Sequence, residues 1–223
     1  VFSEGCVLFC IPGVPQEARS MLLNSVLPYI EKKSSPAHSY HYLIKTIGIG
    51  ESAIQDKIAS LIVTGMTVGF YPKGREVDVW LHGHSLGKRQ FDGACRKIQF
   101  VLKDFVYAHK DVSIADVVGS LLREKKMTLA LAESCTGGLL SQRLTDIPGA
   151  SEFFLGSLVA YSNNVKSAIL GVREKTLGSY GAVSRAVARQ MARGVREKLG
   201  SDISLSITGI AGPSGGSDKK PVG

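Results

Sequence analysis

The run Ala132-Glu133-Ser134-Cys135-Thr136-Gly137-Gly138 places a hydroxyl, a thiol and two glycines between two apolar stretches. Met127 to Leu131 before it reads as a strand, and Leu139 to Leu144 after it reads as a helix. A helix start offers unpaired backbone N–H groups and the positive end of a dipole. Glycine lets a substrate come close to the backbone. Ser134 is therefore a candidate nucleophile, although an ordinary serine or threonine N-cap has the same look. Free serine is a weak nucleophile and needs an adjacent base. The five histidines are His38, His41, His82, His84 and His109, so none lies in the C-terminal half. The base must then be a lysine, a carboxylate or another hydroxyl.

Lys166, in Tyr161-Ser162-Asn163-Asn164-Val165-Lys166, begins a helix just after an apolar strand-like segment. Open α/β sheets gather their sites at strand C-termini, so Lys166 could stand at the same sheet end as Ser134. Burial would lower its pKa toward neutrality and fit it for a base. A surface lysine on a helix is the alternative. A third loop, Ile207-Thr208-Gly209-Ile210-Ala211-Gly212-Pro213-Ser214-Gly215-Gly216, also follows an apolar strand. Such loops hold phosphate through backbone N–H groups, yet this one matches neither the P-loop nor the dinucleotide fingerprint. Tyr161 could stack on a cationic aromatic ring or be half-buried core. His82 and His84 could pair on one strand face, but no carboxylate or cysteine is near in sequence and no metal is expected.

These residues need elements to hold them. Residues 1–37 read as a strand from Cys6 to Ile11, a turn at Pro12-Gly13-Val14-Pro15, a helix to about Lys33, and a linker at 34–37. Residues 38–110 read as a small α+β module in the order βαββα. Its strands are Tyr40 to Ile47, Met66 to Tyr71 and Glu76 to His82. Its helices are about Ala53 to Val63 and Gly87 to Phe105. Residues 111–223 read as a larger α/β unit. A helix capped by Ser113 leads to a strand, Thr128 to Leu131, then the serine motif and its helix. A strand from Phe153 to Tyr161, a short helix from Val165 to Leu170, a helix capped by Ser184 and a strand from Ile203 to Thr208 follow. Alternating strands and helices predict a sheet covered by helices.

Hydrophobic residues make up 44% and charged residues 21%, the balance of a soluble globular chain. No apolar run reaches about 18 residues, so no membrane span is expected. Cys6, Cys10, Cys95 and Cys135 fit no zinc framework. With no secretion signal read, free thiols and a cytoplasmic location are expected. A net charge of +8 favours anionic partners, with a solvated basic face as the alternative. The chain starts at Val1 inside an apolar pattern and reads as a piece of something longer.

Together these motifs resemble the CinA family of competence/damage-inducible proteins. The similarity rests on Ala132 to Gly138, Tyr161-Ser162-Asn163 with Lys166, Gly181-Ala182-Val183-Ser184, Ile207 to Pro213, and Lys220-Pro221-Val222-Gly223. The resemblance implies that residues 111–223 form a nicotinamide mononucleotide amidase domain, C-terminally incomplete. It would release nicotinate mononucleotide and ammonia by a Ser/Lys mechanism, with Ser134 and Lys166 catalytic. Cys135, Thr136, Gly137, Gly138, Tyr161, Thr208 and Gly209 would line the substrate pocket, and the N–H groups of residues 135–138 are the expected oxyanion donors. No cofactor is implied, and a homo-oligomer is expected. Residues 38–110 resemble the family's KH-type module, but Gly48-Ile49-Gly50-Glu51 departs from the Gly-x-x-Gly of nucleic-acid-binding KH domains, so nucleic acid is not the expected partner. Residues 1–37 resemble the end of a molybdopterin-binding-like domain, a domain associated in the family with ADP-ribose pyrophosphatase activity, whose site is not carried here. The competing function is a non-catalytic nucleotide or nucleic-acid binding module linked to competence.

Overall fold

The computed structural model describes residues 2–3, 6–33, 39–218 and 220–222. The linker expected at 34–37 lies outside the described residues. The chain divides into two compact units, Val1–His109 and Lys110–Gly223.

The first unit opens with β1 (Phe2–Ser3) paired antiparallel to β2 (Cys6–Val7). The strand expected through Ile11 is shorter than its apolar run. The described β1–β2 pairing ends at Val7, and Leu8, Phe9 and Ile11 are exposed. Pro15 then starts α1 (Pro15–Met21), which runs through a π-helical turn (Leu22–Val26) into α2 (Leu27–Lys33). Proline suits this first position because its missing N–H would be unpaired there anyway.

The rest of this unit is a four-stranded antiparallel sheet backed by helices. It comprises β3 (Ser39–Ile47), α3 (Glu51–Ile58), β4 (Met66–Lys73), β5 (Glu76–His84), α4 (Lys88–Leu102) and β6 (Val106–Ala108), with strand order β4-β5-β3-β6. Ile44, Val77, Val79 and Leu81 share one face of the sheet and close a core with Ile54, Ile58, Phe91 and Ile98 from α3 and α4. β6 was not legible, because three residues carry too little periodicity. On the other face, the Nδ1 atoms of His82 and His41 lie 2.8 Å apart, while His84 meets Thr67. No group of three or more His, Cys, Asp or Glu among the described residues could hold a metal ion.

In the second unit, α5 (Ile114–Glu124) begins with a reciprocal capping box between Ser113 and Asp116. β7 (Leu129–Glu133) follows, then α6 (Leu139–Thr145), β8 (Phe154–Val159), α7 (Asn163–Leu170), α8 (Glu174–Tyr180), α9 (Arg185–Leu199) and β9 (Ile203–Ile207). The sheet is parallel with order β8-β7-β9, so β7 is central and buried throughout. Alternation along β7 assigns its two faces. Leu129 and Leu131 pack with Leu122, Leu144 and Phe153 on the α5/α6 side. Ala130 and Ala132 pack with Leu170, Val187, Met191 and Val195 on the α7/α9 side. The small alanines let α9 sit close to the sheet. A Cβ on Gly194 of α9 would meet the Leu170 carbonyl oxygen at 1.9 Å, so only glycine fits that crossing. The helix α8, absent from the sequence reading, is short and has no side-chain cap. No described helix is long and apolar enough to cross a membrane.

Candidate active site

Register brings the three chemistry-bearing loops to one sheet end. Glu133, the last residue of β7, pairs with Val159 of β8 and with Ile207 of β9. The next residues are Ser134, the Ala160-Tyr161 pair and Thr208, all leaving the sheet at the same level. Ser162 caps α7 by accepting a hydrogen bond from the Val165 N–H, which sets the first turn carrying Lys166.

Lys166 Nζ lies 3.0 Å from Ser134 Oγ and donates to the Tyr161 carbonyl at 2.6 Å. Both side chains are out of solvent, Lys166 with 1% of its surface exposed and the serine with 6%. Burial pushes the Lys166 pKa down, because a charged ammonium is poorly solvated there, and the neighbouring Cys135 offsets this only in part. An amine that loses its proton readily, in contact with a hydroxyl, can take the hydroxyl's proton. Tyr161 is 71% exposed, and its contact with the lysine is through its backbone oxygen. The Thr208 hydroxyl donates to the Ala182 carbonyl and ties the third loop to the segment before α9.

Gly209 stands against the serine turn. A Cβ there would lie 3.1 Å from Cys135 Sγ, so the loop after β9 touches the turn after β7. Beside it opens a cavity of about 630 Å³ whose wall includes Ser184, Arg185, Thr208, Gly209 and Lys220. Lys220 Nζ donates to the Tyr180 carbonyl there. Another cavity, of about 350 Å³ against Arg173, Gln190 and Glu197, touches none of Ser134, Cys135 and Lys166.

The turn itself differs from expectation at two N–H groups. Gly137 N–H donates to the Ser134 carbonyl, and Gly138 N–H donates to the Glu133 carboxylate. Neither is available to a developing oxyanion. Of residues 135–138, Cys135 and Thr136 have N–H groups with no hydrogen-bond partner among the described residues. Gly137 and Gly138 serve the turn in another way, since both take a left-handed conformation that favours glycine, with φ of 61° and 106°.

Glu133 was not singled out from the sequence. It is fully buried, and its carboxylate accepts from the N–H groups of Gly138, Leu140 and Ser141 and from the Ser141 hydroxyl. The Thr136 hydroxyl, also buried, faces this carboxylate without closing a well-formed hydrogen bond. Burial alone would raise the Glu133 pKa, but the hydrogen bonds from Ser141 and Leu140 outweigh it and hold the pKa below the usual range. The signal that could have found it was a carboxylate ending an apolar strand, ahead of a helix whose N-cap is a glycine with no capping side chain.

Fold and site together define an α/β domain with a buried serine–lysine pair at the C-terminal edge of a parallel sheet. The family model described as the CinA C-terminal domain matches residues 111–223, and that of the damage-inducible protein CinA KH domain matches residues 41–108. The chain belongs to the CinA family. It is 42% identical to a CinA-like protein of Chlorobium limicola, covering 97% of this chain and 52% of that protein. With a CinA-like protein of Dictyoglomus turgidum it shares 40% identity, over 98% of this chain and 54% of the relative. The chain thus spans about half the length of these relatives. Among solved structures, the competence/damage inducible protein CihA from Agrobacterium tumefaciens matches 48% of this chain and 66% of its own at 42% identity, with a TM-score of 0.47.

Proposed function

We propose that residues 111–223 hydrolyse the carboxamide of nicotinamide mononucleotide, giving nicotinate mononucleotide and ammonia. The substrate follows from the family resemblance. The observation that carries the chemistry is the 3.0 Å approach of a buried lysine amine to a buried serine hydroxyl. Neutral Lys166 takes the proton of Ser134 as Oγ attacks the carboxamide carbon. The N–H groups of Cys135 and Thr136 receive the oxyanion, each such donor supplying about 3–4 kcal/mol. Protonated Lys166 then gives its proton to the departing nitrogen, and ammonia leaves. Lys166 next deprotonates the water that cleaves the ester on Ser134, and the serine regains its proton. The cavity beside Gly209 is within the size range of small-molecule sites, and Arg185 and Lys220 on its wall suit a phosphate.

Ammonia release from nicotinamide mononucleotide, measured beside substrate binding, tests this reading. Ser134→Ala should lose turnover by at least about a thousandfold, as expected when a nucleophile is removed, while still folding and binding the nucleotide. Turnover in that folded variant near the unsubstituted level would remove Ser134 as nucleophile.

A further inference from the structure

We infer that Glu133 is a positioning residue for the nucleophile. It holds the turn that carries Ser134 and decides which backbone N–H groups remain for catalysis. This deepens the serine–lysine reading above and rests on it.

The N–H groups at the second and third positions of a helix are normally served by the side chain of the N-cap residue. In α6 the N-cap is Gly138, which has no side chain to offer. Glu133 supplies the missing acceptor from outside the helix. One carboxylate oxygen takes the N–H groups of Gly138 and Leu140, and the other takes the N–H and hydroxyl of Ser141. Glu133 is the residue immediately before Ser134. The chain therefore leaves the sheet, carries the nucleophile through the turn, and is bound back onto its own strand end. A second bond, from Gly137 N–H to the Ser134 carbonyl, closes the inside of the same loop. At the strand end, Ala160 N–H donates to the Glu133 carbonyl at 2.8 Å, which joins this frame to the segment leading to Lys166. Glu133 touches neither Ser134 Oγ nor Lys166 Nζ through a hydrogen bond. It acts by fixing where Ser134 sits and by leaving the N–H groups of Cys135 and Thr136 free.

Glu133→Gln keeps the size but not the pattern. The amide nitrogen must face one of the two donor pairs, so one edge of the frame is lost. The test uses the full chain and a fluorophosphonate probe, with modification of Ser134 followed by mass spectrometry and folding checked by circular dichroism. In folded Glu133→Gln, labelling of Ser134 should slow by about 10- to 100-fold, as expected for a nucleophile displaced by less than an ångström or so. Should that variant fail to fold, Ser141→Ala removes a single hydroxyl from the frame and should slow labelling severalfold. In steady-state assays, with rates normalised to the folded fraction read by circular dichroism, kcat should fall in parallel while KM changes little; partial unfolding lowers only the number of active sites and is removed by that normalisation. Labelling at the unsubstituted rate in either folded variant overturns the inference. The probe does not depend on the nucleotide substrate. Normal labelling of Ser134 with no ammonia from nicotinamide mononucleotide, slowed by Glu133→Gln, would sink the amidase reading and leave the positioning role standing.

Discussion

Replacing Lys166 with methionine removes the proposed base and little else. Methionine nearly fills the space of the lysine stem, and the site is 1% exposed, so no cavity of consequence opens. Two stability effects oppose one another. The Tyr161 carbonyl loses its donor at 2.6 Å; the bond is only part-buried, so the loss lies at or below the low end of the roughly 1–3 kcal/mol cost of an unsatisfied buried group. Against this, the unfolded chain holds its lysine proton more tightly than the folded one, because burial lowers the folded pKa. Folding therefore works against the charged lysine at every pH below its ordinary value, and methionine abolishes that penalty. The melting temperature should move by no more than a few degrees, taking roughly 2–4 °C per kcal/mol for a chain of this size. Activity should behave differently. A positioned general base contributes about 10²- to 10⁴-fold, equivalent to about 3–5 kcal/mol of barrier. The pH profile separates the cases further. A base with a lowered pKa is neutral and competent above it, so kcat/KM should fall as pH drops through that lowered value. The residual rate of Lys166→Met should lack that limb. Ammonia release across pH, with thermal melts of both proteins, checks each part. Near-normal turnover in a folded Lys166→Met protein, or an unchanged acidic limb, would refute lysine as the base.

Gly194→Ala should destabilise the second unit by about 1–3 kcal/mol through overpacking, because its Cβ would meet the Leu170 carbonyl oxygen at 1.9 Å; thermal unfolding reads this, and an unchanged melting temperature would contradict the close crossing of α7 and α9. For the module of β3 to β6, binding to RNA should be weak and fall steeply with added salt, as phosphate-only contact does, given Gly48-Ile49-Gly50-Glu51 at its first helix. Tight, salt-resistant binding to one defined RNA in a filter or fluorescence assay would reverse that expectation.

What could be read in the sequence divides along physical lines. Long periodic elements were legible: the helix after Ser113, the helix after Ser184 and the alternating strand at Val77, Val79 and Leu81 each repeat their pattern several times. Ser134 and Lys166 could be picked out by residue type as candidates, since the lack of histidine in residues 111–223 narrows the choice of base. Their 3.0 Å contact could not, because nothing local sets a distance across 32 positions. That distance is fixed by register, with Glu133 opposite both Val159 and Ile207. The apolar run at Cys6 to Ile11 misled for a related reason. Strand propensity describes a side chain suited to a sheet, and beyond Val7 the side chains of Leu8, Phe9 and Ile11 are exposed rather than packed on one. β6 and α8 fell below the length at which periodicity carries information.

Glu133 shows why a glycine-rich turn before a helix does not by itself define a phosphate site. Read from sequence, the turn offers free N–H groups at the positive end of a helix, which is how such turns bind anions. In the folded chain a buried carboxylate has taken that place, engaging the N–H groups of Gly138, Leu140 and Ser141. A phosphate arriving there would meet a negative charge with its donors already occupied. The donors left over, on Cys135 and Thr136, belong to the turn that follows Ser134. Two free N–H groups beside a hydroxyl held against an amine suit a small oxyanion formed at the serine better than a whole phosphate. The positive groups that could receive a phosphate, Arg185 and Lys220, stand instead on the wall of the cavity beside Gly209. On the amidase proposal, the oxyanion falls to the N–H groups beside Ser134 and the phosphate to Arg185 and Lys220, two parts of one substrate held by different residues.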